Sequence, residues 1–92
     1  MAPQFEALIH VFPRPETRSP EAHAIHEALS RLGFDDVDSV RVGRTFALGL
    51  HAANDGAART CAEEMAGRLL ANPVMETFHV EVSMLPDTET RS

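Results

Sequence analysis

The stretch QFEALIHVF, residues 4–12, constrains the fold more than any other part of the chain. Phe5, Ala7, Ile9 and Val11 alternate with Glu6, Leu8, His10 and Phe12. That period of two predicts a β-strand. Its second face is too apolar for full solvent exposure, because Leu8 and Phe12 lie on it. The strand is therefore expected at the centre of a sheet or against another molecule, and Leu8 and Phe12 are the candidate self-association residues. The prolines of PRPETR, residues 13–18, end regular structure after it.

Ser19-Pro20-Glu21 then reads as a helix start. Serine caps, proline suits the first helical position, and glutamate favours the positive helix end. Ala22, Ile25, Leu29 and Leu32 follow at helical spacing and Gly33 suits a left-handed cap, which predicts a helix over 20–32. The segment SVRVGRTFALGL, residues 39–50, holds two strand-like runs. A three-residue loop at Gly43-Arg44-Thr45 places Val40, Val42, Phe46, Leu48 and Leu50 on one face of a hairpin. One long bent strand is the alternative. A second helix is predicted over 55–71, capped by Asn54 or Asp55, with Ala58, Cys61, Ala62, Met65 and Leu69 as its buried stripe. Asn72-Pro73 closes it. Residues 75–84 alternate again, with Phe78, Val80, Val82 and Met84 inward.

The order β-α-β-β-α-β predicts an α+β, two-layer, ferredoxin-like sandwich: a four-stranded antiparallel sheet with two helices on one face. The expected organisation is a single domain over residues 1–84 followed by a mobile tail over 85–92. Such a plan hosts many functions and selects none.

Charge narrows the choice. The net charge is −6 across 92 residues. A general nucleic-acid binder needs a basic stripe, so no nucleic-acid partner is expected. No apolar run is long enough to span a membrane, and MAPQFEAL has no signal-type pattern, so a cytoplasmic setting is expected. One cysteine, Cys61, rules out an intramolecular disulfide framework. His23 and His26 are three residues apart on the first helix, but no third ligand follows at metal-site spacing. Cys61 on a buried stripe reads as a small hydrophobe. Asp35, Asp36 and Asp38 lack the spacing of a calcium loop. Gly67 costs about 1 kcal/mol against alanine in a helix, which reads either as a close backbone contact or as a tolerant site. The Val42-Gly43-Arg44-Thr45 turn has no glycine cradle and no following helix, so it fails the phosphate-loop patterns. No catalytic or metal-binding residue emerges, and the surplus apolar surface points to partner contacts.

These pieces resemble a known family. HAIHEALSRLGFDDVDSVRVGRTFALGL followed by CAEEMAGRLLANPVMETFHVEV is similar to the PurS subunit of phosphoribosylformylglycinamidine synthase. Leu32-Gly33-Phe34, Val40-Arg41-Val42-Gly43-Arg44 and Leu69-Leu70-Ala71-Asn72-Pro73-Val74 carry the resemblance, which covers about residues 5–82. Ser19-Pro20-Glu21-Ala22 departs from the family's usual Asp-Pro-Gln-Gly, and Thr45 stands where an aromatic is usual. The resemblance implies a non-catalytic small subunit of an ATP-dependent ligase complex in de novo purine biosynthesis. Its partners would be a glutaminase subunit and a large synthetase subunit. It would bridge them as a homodimer or homotetramer and support ammonia transfer. It would bind no cofactor itself, with ATP and Mg held by the synthetase subunit. Arg41, Gly43, Arg44, Asn72 and Pro73 are the candidate partner-interface residues. Replacing Arg41 and Arg44 by glutamate is expected to weaken assembly and leave the fold intact. A small-molecule-sensing regulatory dimer on the same fold is the alternative reading, and a stand-alone enzyme a third.

Overall fold

The computed structural model describes residues 2–85. The elements run β1 (Gln4–Pro13), α1 (Pro20–Arg31), β2 (Arg44–His51), α2 (Asp55–Met65) and β3 (Glu76–Met84), and a π-helical turn, Ala66–Leu70, continues α2. The result is an α+β fold with a three-stranded antiparallel sheet in the order β2-β1-β3 and two helices. The tail expected over 85–92 lies outside the described residues except for Leu85, whose N–H donates to the Gln4 carbonyl at 2.9 Å.

Strand β1 is central, as its two apolar faces require. Ile9 sits opposite Phe46 on one side and Val80 on the other, and Ala7 lies between Leu48 and Val82. Helix α2 covers this face. Phe5, Ala7, Ile9 and Val11 are buried, as is Ala58, and Ala62, Ala66 and Ala71 form one core cluster with Ala7, Ile9, Val11 and Val80. The helix stripe thus differs from the expected one. Cys61 and Leu69 are exposed and Ala66 takes the core position. Alanines at 58, 62 and 66 let the helix axis approach the sheet closely, and the larger side chains point to its flank.

The helix ends follow local chemistry. The Ser19 hydroxyl accepts from the Ala22 N–H at 3.2 Å, and the Asn54 side chain accepts from the Ala57 N–H at 2.8 Å. Gly33 adopts φ 97°, and the Phe34 N–H donates to the Leu29 carbonyl at 3.0 Å, which closes α1 with a left-handed cap.

The four-stranded sheet is corrected to three strands among the described residues. Residues 37–43 form no ladder, and no hairpin turns at Gly43-Arg44-Thr45. Gly43 does not take a positive φ. It instead passes against β1, where a Cβ would overlap the Val11 carbonyl oxygen and the Phe12 ring. Arg44 is already in register opposite Val11, so the chain runs straight into β2 without reversing.

Helix α1 and residues 32–43 stand away from the body. Helix α1 makes no substantial contact with the sheet or with α2. Only Ala22 of its apolar stripe is buried, while Leu32 is 73% and Phe34 57% exposed. The radius of gyration is 17.0 Å, against about 12 Å for a compact chain of this length. The core therefore rests on one helix, and the second is an arm.

Candidate functional site

The expected interface residues meet at one end of the sheet, where β1 ends, β2 and β3 begin, and the π-helical turn closes. Arg44 Nη1 and Nη2 donate to the two Glu76 carboxylate oxygens at 2.7 and 3.1 Å, and Nη2 also donates to the Leu70 carbonyl at 2.9 Å. A planar fork on a carboxylate is the strong form of this pair. The Asn72 N–H donates to Glu76 at 2.8 Å. The Asn72 side-chain oxygen accepts from Val74 N–H at 2.9 Å and Met75 N–H at 3.2 Å, which makes the turn that Asn72-Pro73 predicts. The Arg44 guanidinium, and after it the Asn72 N–H, hold the Glu76 carboxyl below the usual carboxylate range. Glu76 in turn raises Arg44.

Two residues missed in the sequence tie this corner together. Glu76 is one. Arg14 is the other: its Nε donates to the Val74 carbonyl and its Nη2 to the Pro73 carbonyl, both at 2.9 Å. Its backbone N–H donates to the Met75 carbonyl at 3.0 Å. Arg14 lies between two prolines, a context that signals a chain break and nothing about a partner sixty residues on. Asn72 and Glu76 are four apart, and that spacing is the one local hint the sequence offered.

Arg41 behaves differently from Arg44. Its Nη1 donates to the Pro13 carbonyl at 3.1 Å, and its guanidinium lies 5.1 Å from the Phe12 ring centroid. No carboxylate among the described residues pairs with it. Arg44 is therefore a strut of the fold, while Arg41 presents a positioned, unneutralised charge. Glutamate at position 44 would set a second carboxylate against Glu76.

Leu8 and Phe12 lie on the sheet face opposite α2 and are half-buried. His10 separates them. It lies 2.9 Å from the Thr45 hydroxyl and 3.2 Å from Glu81, and stacks on His79 with ring centroids 6.2 Å apart. The face is thus two apolar spots divided by a polar row, and no continuous apolar patch joins them.

His23 pairs with Glu27 at 3.2 Å, and His26 Nε2 lies 2.8 Å from the Val37 carbonyl oxygen. Among the described residues no three His, Cys, Asp or Glu side chains are placed to share a metal ion. No helix among them is long and apolar enough to cross a membrane. A largely apolar groove of about 400 Å³ runs beside α2, lined by Leu48, Cys61, Met65, Leu69 and Leu70 together with the Glu64–Arg68 ion pair. In a two-helix sandwich the first helix would fill that place.

Comparison with known proteins agrees with this geometry. The PurS family model, described as phosphoribosylformylglycinamidine (FGAM) synthase, matches residues 6–84. The chain is 32% identical over 90 residues to the phosphoribosylformylglycinamidine synthase subunit PurS of Synechocystis, covering 98% of this chain and 90% of that one. The solved PurS structure from Thermus thermophilus superposes with a TM-score of 0.80 at 34% identity, covering 91% of this chain and 100% of that one. A chain of the PurLQS structure from Thermotoga maritima gives a TM-score of 0.73 at 30% identity, covering 90% of this chain and 99% of its own.

Proposed function

This chain belongs to the PurS family of FGAM synthase subunits, and from that premise we propose that it is the non-catalytic bridge between the glutaminase and synthetase subunits. It supports passage of ammonia from the first to the second. ATP and Mg belong to the synthetase subunit, and the chain itself holds no cofactor. Its working place is the cytoplasm. The observation that carries this reading is the match of nearly the whole chain to PurS, including PurS within PurLQS.

The bridge works as a homodimer or homotetramer. Each copy has an apolar arm with nothing to pack on and an empty apolar groove beside α2. Exchange of arms between two copies satisfies both. Residues 37–43 of one copy then lie along the free edge of β2 in the other, and the four-stranded ferredoxin-like sheet is completed in the dimer. Leu8 and Phe12 remain a secondary contact on the opposite sheet face. The sheet-end corner, with Gly43 holding Arg41 against β1 and Arg44, Asn72 and Pro73 forming a rigid base, is the surface offered to the larger subunits.

Reconstitution tests this. Glutamine-dependent FGAM formation is measured with glutaminase and synthetase subunits, with and without this chain. The chain alone is inactive, and its addition raises glutamine-dependent turnover while leaving ammonia-dependent turnover little changed. Equal glutamine-dependent rates with and without it would refute the bridging role.

A further inference from the structure

We propose that the hollow between the β1–α1 connection and residues 38–41 binds a phosphate group. It encloses about 500 Å³ and is lined by Arg14, Arg41, His23, His26, Ser19 and Asp38 among others. Arg18 stands at its rim, in a smaller hollow that shares Ser19 and His23. The chain carries a net charge of −6, and its 8 cationic residues are all arginine. Arg14 and Arg41 line this hollow, and Arg18 lines its neighbour.

The state of those arginines is the telling feature. Among the described residues, ion pairs are made by Arg44 and Arg68 and by His10 and His23. Arg14 and Arg41 are held by main-chain carbonyls of Val74, Pro73 and Pro13. Carbonyl oxygens fix a guanidinium without cancelling its charge. The Phe12 face does the same for Arg41. Each guanidinium keeps N–H donors beyond those its carbonyls occupy. Asp38 is the one carboxylate on this lining and is not within ion-pair distance of either arginine.

Two arginines held by carbonyls, with the Ser19 hydroxyl and the Nδ1–H of a protonated His23 whose Nε2 pairs with Glu27, match a phosphate, which offers three terminal oxygens, better than a carboxylate, which fills one fork. The hollow is larger than a phosphate group, so a phosphate monoester fits as well as the free ion. No glycine cradle is needed, because side-chain forks replace main-chain N–H groups. Phosphate binding by the isolated chain does not depend on the bridging role, and each can fail without the other.

The test is calorimetric titration of the full chain with inorganic phosphate, AMP and adenosine. Phosphate and AMP bind and adenosine does not. Tighter AMP than phosphate identifies a monoester as the ligand, and equal affinities identify the free ion. Arg41→Gln weakens binding about 10- to 100-fold, the loss of one or two charge-assisted hydrogen bonds. Arg31→Gln, at the opposite end of α1 from Ser19 and His23 and outside the hollow's lining, changes nothing. Arg14→Gln also loosens the Pro73-Val74 turn, so His23→Gln serves as the second lining variant and weakens binding severalfold. No binding of phosphate or AMP by wild type would overturn the assignment. So would equal binding by wild type, Arg41→Gln and His23→Gln.

Discussion

Gly43→Ala tests the path of the chain into β2 at a single methyl group. A hairpin glycine would sit in a turn, where alanine costs only conformational strain. Here the glycine lies against β1, and its added Cβ overlaps the Val11 carbonyl oxygen and the Phe12 ring. The carbonyl is main chain in the central strand and cannot swing aside. Residues 39–43 must therefore move off β1, carrying Arg41 away from the Pro13 carbonyl. Overpacking of this kind costs about 1–3 kcal/mol. In a domain of this size each kcal/mol lowers Tm by about 4–8 °C. Gly67→Ala is the matched control. Nothing lies within 4 Å of its Cβ, so the substitution stabilises the helical turn by about 0.5–1 kcal/mol. Urea and thermal unfolding at one fixed protomer concentration read both, since the proposed self-association would make stability concentration-dependent. Opposite signs are expected. A Gly43→Ala protein within about 0.5 kcal/mol of wild type would refute the close passage and restore a turn at this position.

Three further outcomes follow from the packing. Ile9→Ala, at a fully buried position on the central strand, destabilises by about 2–5 kcal/mol in urea unfolding. The Glu76 carboxyl has its pKa lowered in the folded state, so its stabilisation is present above the ordinary glutamate range and is lost as pH falls through the folded value. The stability difference between wild type and Glu76→Gln should thus be constant near neutrality and shrink below about pH 4; a difference that persists into stronger acid would contradict the pairing. Leu29→Asp in the α1 stripe should convert the sedimenting species from oligomer to monomer while far-UV circular dichroism is largely kept. An unchanged sedimentation coefficient would refute arm exchange.

Local chemistry made much of this fold readable from the sequence. Period-two alternation located β1 and β3, and Ser19, Asn54 and Gly33 each perform the capping their residue type suggests. The failures are non-local. Val40 and Val42 have the alternation of a strand, but alternation does not specify a hydrogen-bonding neighbour, and residues 37–43 form no ladder. On α2 the large residues Met65 and Leu69 drew the expected stripe toward the flank, whereas the alanines make the contact. Small residues bury when two backbones come close, and that closeness is a tertiary property. The corner shows the same division. Asn72-Pro73 announced its turn, but Arg14 and Glu76 reach it across long sequence separations.

The thinness of the core gives the arm its meaning. One alanine-faced helix on three strands leaves Ile25, Leu29, Leu32 and Phe34 outside. Full burial of such side chains is worth about 1.5–3 kcal/mol each. Because they are already partly covered, burying the remainder gives about 1–2 kcal/mol apiece, or roughly 4–8 kcal/mol per arm. Two exchanged arms supply roughly 8–16 kcal/mol, comparable with the roughly 4–15 kcal/mol lost in translational and rotational freedom on association. One arm alone falls near the lower end of that cost. In the proposed dimer, reciprocal exchange would offset that cost, and strand pairing along 37–43 would add to it. The arm leaves the body at Pro13 and returns at Gly43, and Arg14, Arg44 and Glu76 fix the corner between those points; in the proposed dimer that corner would keep its shape while α1 packs on the other copy.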